Sequence, residues 1–435
     1  MHSARRIFFS LPALCCLLGA VASAQDKTAA DPPAFSFGYQ QRIRIETTDN
    51  AIGLSAAAGK GSGYLRNRTS VSARITPVED ISIDARLTNE FRYYFVPENR
   101  EFDFNEIVFD QLCLKWSKPA RLPLTLTLGR QNMQLGEGFV VMDGEPLVGS
   151  RSVYFNAARA DWSFTPSKRL TLAYAYQPER DKFLPVLDDR KTPLVEQPEE
   201  AFIAYYTTDF FSGSAHAYFI RKNMYALEGR PLSAHINCPG VRLEYPLFDG
   251  LKLTGEAAGQ FGSWTNNSMT AYGGYCYGRY EVGGEKFVPR WVTVGAIHLS
   301  GDDRSSSKHE GWDPLFSRWP KWSESYIYAL IPEQSPAYWS NLTSIYANVL
   351  FAVTPHISFS FDYHHLLAPR PADPSSGFPG GDGKTRGDLF IGRLVYKPAG
   401  ILTGQLVFEG FKPGDFYFDG ADSYGWMLME VMVTL

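Results

Sequence analysis

The chain of 435 residues carries 42 Lys and Arg against 46 Asp and Glu, a formal net charge of −4, with 14% aromatic residues and five cysteines. So even a balance gives no reason to expect nucleic acid as a partner. Beyond the amino terminus no apolar stretch approaches the ~18 residues of a membrane-spanning helix, while the length would allow two or three ordinary domains.

The amino terminus sets the compartment. Arg5 and Arg6 precede an apolar run from Ile7 to Leu18, and Ala22-Ser23-Ala24 gives a small-residue exit before Gln25. This pattern describes a cleavable secretory signal over residues 1–24. Cys15 and Cys16 fall inside it, which leaves Cys113, Cys238 and Cys276. An odd number in an exported chain excludes a complete disulfide framework, and leaves open whether the three are free or two form one loop bridge. Residues 25–34 make a short segment ahead of the first strand.

From residue 35 to 435 the chain alternates with period two, the mark of half-buried strands. In "FSFGYQQRIRIET", Phe35, Phe37, Tyr39, Ile43 and Ile45 oppose Gln40, Arg42, Arg44 and Glu46. "YLRNRTSVSARI" sets Leu65, Val71, Ala73 and Ile75 against Arg66, Arg68, Ser70 and Arg74. "ISIDARLTNEFRYYF" sets Ile81, Ile83, Ala85 and Leu87 against Asp84, Arg86, Glu90 and Arg92. In "TLTLGRQNMQLGEG" (125–138) Leu122, Leu124, Leu126 and Leu128 share one face, and the next residue due on it is Arg130. Gly129 suggests a bulge that re-aims the side chain. Arg130 is therefore expected to break parity and point into the lumen or outer mouth, near Asp161 or another carboxylate.

An antiparallel sandwich would alternate as well. Here, however, segments run to ten or more residues where globular strands hold about five or six. Tyr93-Tyr94-Phe95 and Trp116 also gather at segment ends, where the girdles of a membrane barrel lie. Connections alternate in length. "TPVED" (76–80), "TPSK" (165–168), "PLFDG" (246–250) and "KPAG" (397–400) are short, while 47–62, 132–152, 178–199, 222–237, 300–336 and 367–386 are long. Eight short turns and nine long loops imply an antiparallel transmembrane β-barrel of about eighteen strands, its short turns periplasmic and its long loops external. The final strand ends in Leu435 rather than an aromatic residue, which leaves the closing register open.

The stretches "LGRQNMQLGEG" (128–138), "ARADWSF" (158–164), "LSGDD" (299–303), "GWDPLFSRWPKW" (311–322) and "WSNLTSIYANVLFAVTPHISFSFDYHHL" (339–366) occur in an order that resembles the alginate-export family of bacterial outer-membrane porins. The resemblance covers a whole barrel. It implies a monomer in the outer membrane of a Gram-negative cell, set there by the barrel-insertion machinery and surrounded by outer-membrane lipid. Such a barrel passes anionic polysaccharide or other solutes passively and uses no cofactor.

The lumen can be read without that resemblance. Parity places Arg42, Arg44, Arg66, Arg68, Arg74, Arg86 and Arg92 on the polar face, partly offset by Glu46, Asp84 and Glu90, and Arg159, Arg242, Lys115 and Lys252 add cations. Rings of such side chains favour anions, and arginine grips carboxylates with paired hydrogen bonds. Alginate-like uronate saccharides or organic acids are the expected solutes. The alternative is that these charges pair with one another in a general or neutral-saccharide porin. In the 300–336 loop, Asp302, Asp303, Asp313 and Arg318 are candidates for a gate that folds inward. The acidic residues could instead hold Ca²⁺, although their spacing matches no fixed metal loop. A barrel enzyme is disfavoured, because no nucleophile elbow, H-E-x-x-H, phosphate loop or C-x-x-C is present. His364 and His365 point to opposite faces of one strand.

Overall fold

Period-two alternation becomes extended backbone almost wherever it occurs. The structure is a computed structural model describing residues 34–50, 54–55, 61–96, 106–142, 154–189, 191, 194–195, 197–283, 289–303, 305–317, 322–323, 340–372 and 380–435. The signal expected over 1–24, all but residue 34 of the 25–34 segment, and Arg318 lie outside the described residues.

The chain runs through β1 (Phe35–Asp49), β2 (Ser62–Val78), β3 (Ile81–Val96), β4 (Ile107–Ser117), β5 (Leu124–Gln131), β6 (Phe155–Thr165) and β7 (Lys168–Gln177). A two-residue β8 (Val186–Leu187) precedes β9 (Glu199–Phe210), β10 (Gly213–Met224), β11 (Ala234–Phe248), β12 (Leu251–Trp264), β13 (Asn267–Glu281) and β14 (Pro289–Leu299). A second short piece, β15 (Lys308–His309), precedes β16 (Leu342–Thr354), β17 (Ile357–Leu367), β18 (Thr385–Tyr396), β19 (Leu402–Pro413) and β20 (Tyr424–Thr434). Apart from β8 and β15, these make a closed antiparallel barrel of eighteen strands. The seam is β1 against β20, with Gln40 opposite Thr434 and Asp49 opposite Gly425. Leu435 continues it, donating to the Tyr39 carbonyl at 2.8 Å and accepting from the Tyr39 N–H at 3.0 Å. A terminal leucine therefore closes the barrel through its backbone.

Eight connections at one end are short, from residues 79–80 and 166–167 to the longest, 282–288. The other end carries the long ones, with one correction: β12 and β13 are joined by Thr265 and Asn266 alone. The outside of the wall is apolar, with Phe37, Leu128 and Val294 all more than half exposed. The inside is polar over β1–β3. On β9–β20 the inward positions near the loop end are apolar and buried, among them Ile203, Ile220, Ile236, Ile297 and Leu389. Something must fill the lumen there.

β3 runs on from Glu90 to Val96 beyond its last pairing with β4, Asn89 opposite Ile107, and two further overhangs are covered by short pieces of loop. β5 stops at Gln131, so Ile107 and Val108 of β4 extend past it and pair with Leu187 and Val186 of β8. β14 reaches only to Gly273 of β13, and β15 takes the vacant edge at Ser268 and Met269 in parallel. Each short piece satisfies backbone groups that would otherwise stand open.

At Gly129 the expected parity break is absent. Leu112, Cys113 and Leu114 face Arg130, Gly129 and Leu128 in unbroken register, and β6 pairs equally evenly. Gln131 lines the same lumen cavity as Thr125 and Thr127, so Arg130 keeps the face of Leu126 and Leu128. The bulge lies one strand pair away, where Asp110 is the extra residue between Phe109 and Gln111 opposite Leu87 and Arg86. Gly129 is nonetheless required: its φ is +118°, and a Cβ there would run into the Leu112 carbonyl. Replacing it with alanine, G129A, should destabilise the barrel by about 1–3 kcal/mol, read as a lower urea midpoint for unfolding from detergent micelles.

Candidate functional site

The inward parity of β20, β1, β2 and β3 builds one charged wall. Pairing sets Glu430, Arg44, Arg66 and Arg92 in one row, and Arg42, Arg68 and Glu90 in the next. Guanidiniums that face each other directly repel, so all but Arg92 turn to a carboxylate. Arg66 reaches Glu90 at 2.5 Å and Arg42 reaches the same carboxylate at 3.2 Å. Arg44 grips Glu430 at 2.7 Å. Glu46 accepts the Tyr64 hydroxyl at 2.7 Å and lies 3.6 Å from both Arg44 and Arg66. The bulge at Asp110 delivers that carboxylate to Arg86 at 2.7 Å, Arg68 at 3.3 Å and the Thr88 hydroxyl at 2.8 Å. Arg74 pairs with Asp84 at 2.5 Å. Arg92 sits 4.9 Å over the Tyr64 ring and donates to the Tyr94 hydroxyl.

Six of the seven guanidiniums therefore meet five carboxylates, Glu46, Asp84, Glu90, Asp110 and Glu430, while Arg92 meets Tyr64 and Tyr94. Arg42, Arg44, Arg66 and Arg68 are all buried. Sequence reading missed two of the carboxylates for definite reasons. Asp110 turns inward only through its bulge, and Glu430 reaches Arg44 only through the seam.

The remaining arginines divide. Arg159 faces inward and pairs with Asp161 at 2.8 Å. Arg130 is 1% exposed, and its partner is Asp181 rather than Asp161: two hydrogen bonds of 2.7 and 2.8 Å run between them. It also donates to Asn156 and to the Phe109 carbonyl and lies 3.9 Å over the Tyr154 ring. Asp181 belongs to the connection that carries β8. That connection packs Phe183 against Tyr176, which has the same parity as the exposed Tyr174. It is a strap across the outer end of β5, and it supplies the counter-charge that lets an arginine occupy an outward position.

Arg242, on β11, binds Glu137 and Glu244, each at 2.9 Å. Glu137 comes from residues 132–142, which fold into the lumen and place Met133, Leu135, Phe139, Val140 and Val141 in the apolar cluster. Residues 311–317 of the long loop join them. Phe139 stacks on Trp312 at 5.2 Å, Phe316 donates to the Val140 carbonyl at 3.0 Å, and the Ser317 hydroxyl donates to Gly138. The wall makes room for this pair of segments: a Cβ at Gly273 would collide with the Trp312 ring.

Of the gate candidates, Asp313 is fixed in the lumen. Its carboxylate lies 3.2 Å from Lys222 and accepts the Leu315 N–H, while its backbone exchanges two hydrogen bonds with Gln260. Lys222, fully buried, also faces Glu199 at 3.4 Å. Asp302 and Asp303 stay at the rim, against His309 at 3.3 Å and Arg370 at 2.8 Å. Among the described residues no group of three His, Cys, Asp or Glu is placed to hold a metal. His364 is buried beside Ser344, and His365 pairs outward with Asp388. Cys113, Cys238 and Cys276 are free thiols.

Geometry alone defines a large closed barrel with a charged wall and inward-folded loops. No protein-family model matches the sequence, and neither does any curated protein's sequence. Solved structures do match. Pseudomonas aeruginosa OccK5 (OpdH) shares 11% identity at a TM-score of 0.60, over 94% of this chain and 99% of that one. P. aeruginosa OpdQ shares 10% at 0.59, over 93% and 99%. P. aeruginosa OccK2 (OpdF), solved in complex with glucuronate, shares 11% at 0.58, over 92% and 96%. The likeness is one of fold. It carries the eighteen-stranded barrel that the alginate-export resemblance implied, without that family itself.

Burial pushes the Asp181 carboxyl up, but hydrogen bonds from Arg130 and Tyr154 and the arginine charge outweigh this and hold it below the ordinary carboxylate range. The strap's stabilisation is thus present above the unfolded carboxyl's value of about 3.9 and lost as pH falls through the lower folded value. Amide protection over 181–187, taken relative to the intrinsic exchange rate at each pH, should be high at neutral pH and fall below about pH 4, whereas D181N should show low protection at both. In the lumen, K222M leaves Glu199 and Asp313 buried without their cation, at a cost of about 3–5 kcal/mol. The expected result is protease cleavage within 311–317 under conditions that leave the wild type intact.

Proposed function

We propose that the protein is an outer-membrane porin giving passive diffusion to anionic solutes, alginate-like uronate saccharides or organic acids among them. The observation that carries this reading is the wall of seven guanidiniums against five carboxylates, set within a closed barrel. A low-dielectric passage focuses the residual positive field and concentrates counter-ions, and guanidinium forks match carboxylates. Support also comes from the fold neighbours, which are OccK/Opd outer-membrane porins, one of them solved with glucuronate. On this reading the short turns face the periplasm and the long loops the exterior. A signal over 1–24 directs export, and the barrel-insertion machinery seats the barrel as a monomer among outer-membrane lipid. Transport needs no cofactor, energy source or covalent step, so the protein is not an enzyme.

The near-complete pairing of the same arginines favours a second reading, a general or neutral-saccharide porin whose charges serve the wall. Reversal potential across a planar bilayer under a salt gradient separates the two. Anion preference, with block by oligouronates stronger than by neutral oligosaccharides of matched size, is expected. Cation selectivity at neutral pH, or equal block by both sugars, refutes the anionic reading.

A further inference from the structure

Toward the short-turn end of the charged wall, between β2 and β7, the lumen opens into a cavity of about 640 Å³. Its charged lining is five cations, Arg74, Lys115, Lys118, Arg159 and Arg169, against two carboxylates, Asp84 and Asp161. The carboxylates are committed, Asp84 to Arg74 and Asp161 to Arg159 and the Thr171 hydroxyl. Lys115, Lys118 and Arg169 are exposed and have no ion-pair partner among the described residues. That separates this cavity from the wall above it, where each buried arginine is answered by a carboxylate.

We infer that this cavity is a second anion station, one that holds a linear oligomer bearing a charge on each unit in preference to a single small anion. The inference rests on the anionic-solute reading above and adds what size of solute the turn-side mouth selects. Register supplies the geometry. Lys115, Thr127 and Arg159 stand side by side on β4, β5 and β6, so the two cations are about 10 Å apart, two strand spacings. Arg169, opposite Ser163 on β6, lies four residues nearer the turns than the Arg159 row, about 13 Å along the strand. One carboxylate spans neither distance. Successive anionic sugars can place charges at separate cations while their hydroxyls meet Thr125 and Thr127. Once one unit is held, the next binds at high effective concentration.

The test uses the full-length protein as single channels of known orientation, with mono-, di- and tetra-uronate added from the turn side. Wild type should hold the tetra-uronate about tenfold longer or more than the monomer. In K115Q/R169Q that ratio should fall to about one, and the charge-keeping variant K115R/R169K should restore it. Both side chains are exposed, so the variants should fold, checked by heat-modifiable mobility. An anion-selective channel whose residence ratio is unchanged in K115Q/R169Q overturns the station while leaving the porin reading intact. A wild type that is cation-selective and unblocked by any uronate overturns both.

Discussion

A strand must send its N–H and C=O groups to a neighbouring strand, and the rest of this structure follows from that. The sheet must close, so β1 must find β20 across nearly the whole chain. Closure then divides every strand into an outside that must be apolar and an inside free to carry charge. The Arg44–Glu430 contact joins residues 386 positions apart in sequence, and the backbone pairing at the seam sets those two residues opposite each other.

Confining charge to the inside brings its own cost. Guanidiniums buried in a wall are tolerable only when answered, and β1–β3 answer theirs with shared carboxylates. Sharing leaves the wall's seven arginines with two positive charges more than its five carboxylates supply, and Arg92 is the one that turns to tyrosines instead. Arg130 shows the same rule outside the barrel. An arginine on the apolar face is kept only because a loop reaches over with Asp181.

How much of this was legible in the sequence depended on range. Period-two alternation located the strands, their faces and the inward arginines, because a strand's two faces are written two residues apart. The short turns were legible for the same local reason. The parity break at Gly129 was a wrong inference, since a glycine serves equally to let the β4 backbone pass closely. The partner of Arg130 could not be read, because Asp181 arrives from a connection past two further strands. The filling of the lumen by 132–142 and 311–317 left one faint sign: Phe202 and Ile203 make β9 apolar on both faces where the lumen alone would call for a polar one.

The short pieces β8 and β15 have a consequence beyond the strands they touch. An uneven rim exposes stretches of unpaired sheet edge, and such an edge is a template on which a second chain can grow. Here the overhangs of β4 and β13 are each stopped by two residues lent from the chain's own loop. At those two places the rim is ragged, between loops that run from two residues to some forty, without leaving the edge open. Loop length is thereby freed to vary between strands whose open edges the loops themselves cover.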